Sequence, residues 1–253
     1  MSAGLSITVD VDGAAGLPNG GAGHEHRLSS WSERTYGIDR GLLRILEVLD
    51  EFGTTGTFYV PGITALRHRD AIAALAGTRH EIGHHGHTHR RPDQLSHADQ
   101  RGEIAAGIDA LTEVTGRPPA GYRAPGWELT PQTLEAVCAH GLAYDSSLMG
   151  DDRPHVVESP AGRVVELPVH WALDDAPHFA HTTDVSALLS TWLAELFSAK
   201  RERRHTTITC HPEILGRAYR VDVLRRLLDA AAGRQIECVP HRDVAALVAV
   251  GQT

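Results

Sequence analysis

Two hydrophobic periods alternate along the chain. Leu5-Ser6-Ile7-Thr8-Val9-Asp10 switches apolar and polar positions one by one, which predicts a strand, and Leu42, Leu43, Leu46 and Leu49 in the run from Gly41 to Phe52 predict a helix. Thr55 to Val60 is a second strand, stopped by Pro61-Gly62. Further strands are predicted at His80–Gly83, Gly121–Arg123, Leu142–Asp145, Val164–Leu167 and Thr206–Cys210. Helices are predicted over Asp70–Ala76, Ser96–Thr115 with Ser96 as cap, Thr130–His140 with Pro131 in its first turn, Ser186–Ser198, Val221–Ala232 and Asp243–Val250. Regular alternation of strand and helix implies a parallel sheet covered by helices. About seven strands in one domain over residues 1–253 favour an α/β fold of the closed or nearly closed β/α-barrel kind over an open sheet. The Gly/Pro-rich stretch Gly13–Gly23, directly after the first strand, reads as a mobile loop at the mouth of such a barrel.

Composition narrows the classes of function. A chain of 253 residues buries a full core without staples, and 42% hydrophobic against 22% charged residues excludes disorder. With 24 Lys+Arg against 32 Asp+Glu the formal charge is −8, so no basic stripe is available for nucleic acid. No run approaches the ~18 apolar residues of a membrane span. Met1-Ser2-Ala3-Gly4 leads straight into the first strand without an export leader, and three widely spaced cysteines make no disulfide framework, so a reduced, cytoplasmic protein is expected. Histidine is the outlier: there are 17, five of them between His80 and His89.

Four constellations could carry chemistry. Asp10 and Asp12, two apart at the end of the first strand, point the same way and would bind a cation or raise one pKa; alone, the pair could equally cap the glycine-rich loop. His80-Glu81-Ile82-Gly83-His84-His85-Gly86-His87-Thr88-His89 holds the pairs His80/His84 and His85/His89 at four-residue spacing, which puts each pair on one face if the segment turns helically. Two imidazoles and a carboxylate with open positions suit a hydrolytic divalent metal; His87 and His97 read better as ordinary surface or core residues. Gly121-Tyr122-Arg123-Ala124-Pro125-Gly126-Trp127 ends a strand in an arginine fixed by a rigid turn, suited to orienting a carboxylate, although a plain strand end would look the same. Thr207-Ile208-Thr209-Cys210-His211-Pro212 places His211 at the end of a late strand, facing the same mouth, with Cys210 turned to the core. No G-x-S-x-G nucleophile signature or phosphate-cradling glycine motif is present.

In this order, D-x-D, H-x3-H, R-x-P and a late strand-end histidine resemble the polysaccharide deacetylase superfamily, carbohydrate esterase family four, from Ile7 to Val244. The resemblance implies a distorted (β/α) barrel of about seven parallel strands. It also implies that Asp12, His85 and His89 hold a metal, usually zinc, with Asp10 as general base, Arg123 orienting it and His211 as general acid. Trp127, Trp171, Pro125 and His84 are candidates for substrate-binding walls. Val11 separates two aspartates that are adjacent in typical deacetylases, position 84 is often asparagine there, and the usual aspartate-tryptophan pair is not recognisable. The segments Tyr144–Met149, Glu166–Asp175 and His211–Arg217 resemble an intracellular branch that contains a Helicobacter-type peptidoglycan deacetylase homologue, cofactor-independent allantoinases and cyclic imide hydrolases. That branch puts a sugar substrate in doubt and implies a homo-oligomer such as a tetramer, while the cytoplasmic reading disfavours a cell-wall polymer and favours a small soluble substrate. The expected function is therefore metal-assisted hydrolysis of an amide or imide C–N bond. Two alternatives stay open: an N-deacetylase of amino sugars or peptidoglycan-type polymer, and a non-catalytic metal-binding protein holding several ions per chain.

Overall fold

A computed structural model of the chain describes residues 4–251. Met1-Ser2-Ala3, where no export leader was read, lies outside them. The strands are β1 Gly4–Asp10, β2 Thr57–Val60, β3 Glu81–His84, β4 Gly121–Tyr122, β5 Tyr144–Asp145, β6 His155–Ser159, β7 Gly162–Glu166, β8 His205–Cys210 and β9 Glu237–Cys238. The helices are α1 Leu28–Tyr36, α2 Leu42–Glu51, α3 Gly62–Arg67, α4 Arg69–Ala76, α5 His97–Thr115, α6 Pro131–Ala139, α7 Asp175–His181, α8 Val185–Glu202, α9 Asp222–Gly233 and α10 His241–Gly251. Among the described residues no helix is long and apolar enough to cross a membrane.

The sheet runs β6-β7-β5-β4-β3-β2-β1-β8, with β9 beside β1, and curls into a half-barrel. The expected α/β class and distorted barrel are observed, with two corrections. The sheet is mixed, because β6, which no pattern predicted, pairs antiparallel with β7. It also does not close: the segment after β7 reaches β8 only through an isolated bridge between Asp174 and Thr209.

Strand parity explains how one chain builds both a core and a site. On β1 the odd positions Leu5, Ile7 and Val9 join the apolar layer under the helices, together with Phe58, Val60, Ile82, Ile208, Cys210 and the fully buried Trp192 of α8. The even positions face the barrel interior, where Ser6 bonds the Val239 carbonyl and Thr8 bonds the Ile208 carbonyl. Strict alternation usually marks a strand with one wet face. Here both faces are buried, and the interior is polar because its groups satisfy one another. Tyr59 meets the His241 ring at 2.6 Å, and Tyr144 donates to Glu81 at 2.8 Å.

The stretch Gly13–Gly23 corrects another expectation. It forms two short 3-10 turns, Gly13–Gly16 and Pro18–Gly21, and Gly13, Ala14, Ala15, Gly20 and Gly21 are buried. Arg67 donates to the Gly20 carbonyl at 2.7 Å. The loop is packed, and α1 follows it in the chain.

Candidate active site

At the mouth of the half-barrel Asp12 faces two imidazoles. Its Oδ1 lies 3.6 Å from His85 Nε2 and 3.2 Å from His89 Nε2, and this buried oxygen has no hydrogen-bond partner. An unpaired buried carboxylate oxygen is costly unless something else meets it. His85 donates its Nδ1–H to the Arg123 carbonyl at 2.8 Å, which leaves Nε2 with a free lone pair. Burial pushes the His85 pKa down, favouring the neutral, ligating form. Burial alone would raise Asp12, but the charge of His89 outweighs it and holds the carboxyl well below the usual range. One carboxylate and two imidazoles, with ligand atoms within 4.8 Å of one another, fit a divalent cation.

The histidine pair meets by a route other than the expected helical face. β3 ends at His84 and the chain then turns. Gly86 has φ +71° and lies so close to Pro125 that a Cβ would sit 3.1 Å from its Cγ. His89 itself adopts φ +60°, a conformation costly for a non-glycine residue and kept here by its surroundings. Glu103 of α5 supplies much of that hold: its carboxylate accepts from His87 N at 2.8 Å, Thr88 N at 2.7 Å and Thr88 Oγ1 at 2.7 Å. Sequence reading missed Glu103, which no local pattern marks.

The cavity lining also corrects two expected wall residues, His84 and Pro125. His84 falls on the outward face of β3, where its Nε2 donates to the Ile104 carbonyl at 2.9 Å and its Nδ1 accepts from Gly86 N at 2.9 Å. It props the turn and does not line the cavity. Pro125 likewise packs on Gly86. His80 is spent on packing too, accepting from Gly56 N at 3.1 Å. Its pairing with His84 therefore has no counterpart in space.

The remaining predicted residues converge. Arg123, fully buried, donates to Asp10 Oδ1 at 2.7 Å and to Thr8 Oγ1 at 2.9 Å, and Ser146 holds its other nitrogens. Its guanidinium lies 4.2 Å from the Tyr59 ring centre. Asp10 Oδ2 is left facing His85 Nε2 at 3.7 Å. His211 stands at the end of β8, with its Nδ1–H on Asp175 Oδ1 at 2.7 Å and its backbone N–H on Asp175 Oδ2 at 3.0 Å. Burial alone would lower its pKa, but the carboxyls of Asp174 and Asp175 outweigh that and lift it well above an ordinary imidazole. Both aspartates were missed as site residues. The available signal was a cap: Asp174 precedes α7 and accepts from Ala176 N at 2.7 Å. Asp10, Asp12, His85, His89, Asp174 and His211 line one cavity of about 300 Å³, walled by Trp127, Trp171 and residues of α7. The two indole rings are 4.7 Å apart at 34°, with Trp127 buried at φ +54° and Trp171 half exposed. Asp174, Asp175 and His211 form the other group close enough to hold an ion, but the His211 nitrogen concerned already bonds Asp175.

This geometry can be set beside known proteins. The family model for polysaccharide deacetylases matches residues 37–144. A solved Mycobacterium smegmatis protein assigned to the polysaccharide deacetylases is 34% identical, covers 99% of this chain with 92% of its own, and superposes with a TM-score of 0.93. The chain belongs to the polysaccharide deacetylase family. Members of that family are enzymes that act on amide C–N bonds with a divalent metal. The peptidoglycan deacetylase of Helicobacter pylori is 25% identical over 251 residues, covering 84% of each chain. The Puue allantoinase structure, 21% identical with a TM-score of 0.85 over 96% of this chain and 89% of its own, shares the fold.

Proposed function

We propose that this deacetylase-family chain hydrolyses a non-peptide C–N bond, amide or imide, in a small soluble substrate, using one zinc or similar divalent ion. The observation that carries the reading is the shared cavity: Asp12 with its unpaired oxygen, His85 and His89 on one side, Asp10 between, and a proton-bearing His211 opposite. Asp12, His85 and His89 would hold the ion, which when bound supplies Lewis-acid polarisation of a carbonyl and acidifies water. Asp10, aimed by Arg123, takes the proton of the attacking water. His211 delivers a proton to the departing nitrogen, the step an amide requires because an unprotonated amine leaves badly. Trp127 and Trp171 stack against the substrate ring. A cavity of about 300 Å³ under α7 suits one ring better than a polymer chain.

A second reading, N-deacetylation of an amino sugar, is favoured by the likeness to the Helicobacter deacetylase. A multi-ion store is not supported, since His80 and His84 spend ring nitrogens on backbone groups. The deciding experiment is a hydrolysis panel of succinimide, hydantoin, allantoin, formamide-type compounds and N-acetylglucosamine oligomers. Turnover of a small amide or imide is expected, lost on chelation and restored by zinc or cobalt. Cleavage of the sugar acetyl group alone selects the second reading, and full activity after verified metal removal overturns both.

A further inference from the structure

Away from the cavity, β5 and β7 lay two carboxyl groups against each other. Asp145 and Glu166 are Cα partners in the parallel register of the two strands, and both are fully buried. Asp145 Oδ1 accepts from Ser147 Oγ at 2.9 Å. Glu166 Oε1 accepts from the backbone N–H groups of Ser147 at 3.1 Å and Leu148 at 3.0 Å. The other oxygens, Asp145 Oδ2 and Glu166 Oε2, are buried with no donor from any third group, although the two side chains stand within hydrogen-bond reach of each other. No cation is paired with them. Arg123, whose charge reaches Asp145, directs its N–H groups to Asp10, Thr8 and Ser146 instead.

Two carboxylates side by side in such a place do not both stay ionised. A single proton between them removes one charge and satisfies both orphaned oxygens at once. Burial works in the same direction: it lifts Asp145 to about 6 and Glu166 well above its usual value, where the charge of Asp145 adds to the rise. The Tyr122 phenol, the other titratable group that feels Asp145, is held neutral by burial and brings no positive charge.

One short segment connects this pair to the site. Ser147 Oγ donates to Asp145 and accepts from Ala124 N at 2.9 Å. Beside it, Ser146 accepts from Arg123 Nε on its carbonyl at 3.1 Å and from Nη2 on its hydroxyl at 2.9 Å, and Arg123 in turn donates to Asp10. We propose that Asp145 and Glu166 share one proton, and that the pair so joined fixes the Ser146-Ser147 segment that aims Arg123 at Asp10. The positioning half of the inference rests on the hydrolase reading; the shared proton does not. Neither carboxyl lines the cavity, so both are positioning residues.

The test uses the zinc-loaded protein and whichever of succinimide, hydantoin, allantoin, formamide-type compounds and N-acetylglucosamine oligomers the wild type cleaves fastest. Glu166→Leu removes both the shared proton and the acceptor for Ser147 and Leu148. It should lower kcat about tenfold or more, with KM within about twofold and zinc content unchanged, because the aim of Asp10 is lost and no substrate or ion contact is. Glu166→Gln keeps the acceptor and replaces the proton by an amide N–H, and should recover most of that loss. Where Glu166→Leu does not fold by circular dichroism, Ser147→Ala deletes only the hydroxyl between Asp145 and Ala124 and should lower kcat about three- to tenfold, again with KM unmoved.

The proton has its own readout. Both carboxyls ionise near their ordinary values in the unfolded chain, so folding takes up one proton at neutral pH and stability falls as pH rises. In urea titrations the unfolding constant of the wild type, divided by that of Glu166→Gln, should rise about three- to tenfold per unit between about pH 6 and 7.5, the contribution of the ion cancelling in the ratio. A flat ratio, or equal kcat losses in Glu166→Gln and Glu166→Leu, overturns the shared proton. Wild-type kcat in folded Glu166→Leu or in Ser147→Ala, or a loss carried by KM or zinc content, overturns the positioning role. A loaded wild type that cleaves nothing refutes the hydrolase reading and the positioning role together, and the urea ratio still decides the proton.

Discussion

A buried imidazole would ordinarily lose its proton, yet His211 is lifted well above its usual value because Asp174 and Asp175 outweigh the penalty of burial. Its role as proton donor in the proposed reaction follows from that, and so does a pH profile. Activity that depends on the imidazolium is present below the His211 pKa and falls as pH rises through it. Asp175→Asn removes the charge bonded to Nδ1, so the pKa drops and the alkaline limb of kcat/KM should move about one unit or more towards lower pH. A limb that stays in place would remove His211 as the titrating acid. Asp175 is a positioning residue in this account, and the limb shift separates that role from a merely structural one.

At the scale of elements, the proposed ion site depends on a turn that would not hold its shape alone. Gly86 and His89 both adopt positive φ, and the α5 carboxylate of Glu103 ties the residues between them. Glu103→Ala should therefore weaken zinc binding about ten- to hundredfold in competition with a chelator, while the protein stays folded. Unchanged affinity would show that the turn is held by other contacts. The same turn shows how far the sequence could be read. The order of strands and helices was legible because period two and period 3.6 are local properties, and with them the outward Cys210 and the inward Asp10, Arg123 and His211. His84 is not the wall residue expected of it: at the end of β3 strand parity turns it out under α5, onto the Ile104 carbonyl. β6 went unseen because its partner β7, not its own pattern, makes it a strand.

For the whole molecule, the proposed ion set draws on two separate parts of the chain: Asp12 follows β1, and His85 and His89 follow β3. An ion that binds only the folded arrangement should stabilise it. Free zinc at about 100 times its Kd adds about 2.7 kcal/mol, and for a chain of this size that raises the melting temperature by roughly 5–10 °C. Calorimetry with and without a chelator checks this, and an unchanged melting temperature would deny that the three residues form a tight site.

By itself the sequence determined the alternation of β and α elements, the polar interior positions and the order of the D-x-D, H-x3-H, R-x-P and C-H-P segments, because side-chain direction along a strand is set by the pleat. Only the tertiary structure decided that Asp175 would seize His211, that Glu103 would reach the histidine turn and that the sheet would stay open. Those outcomes join residues from 15 to 36 or more positions apart, and contacts at such separations depend on how the helices and strands dock, which no local periodicity records.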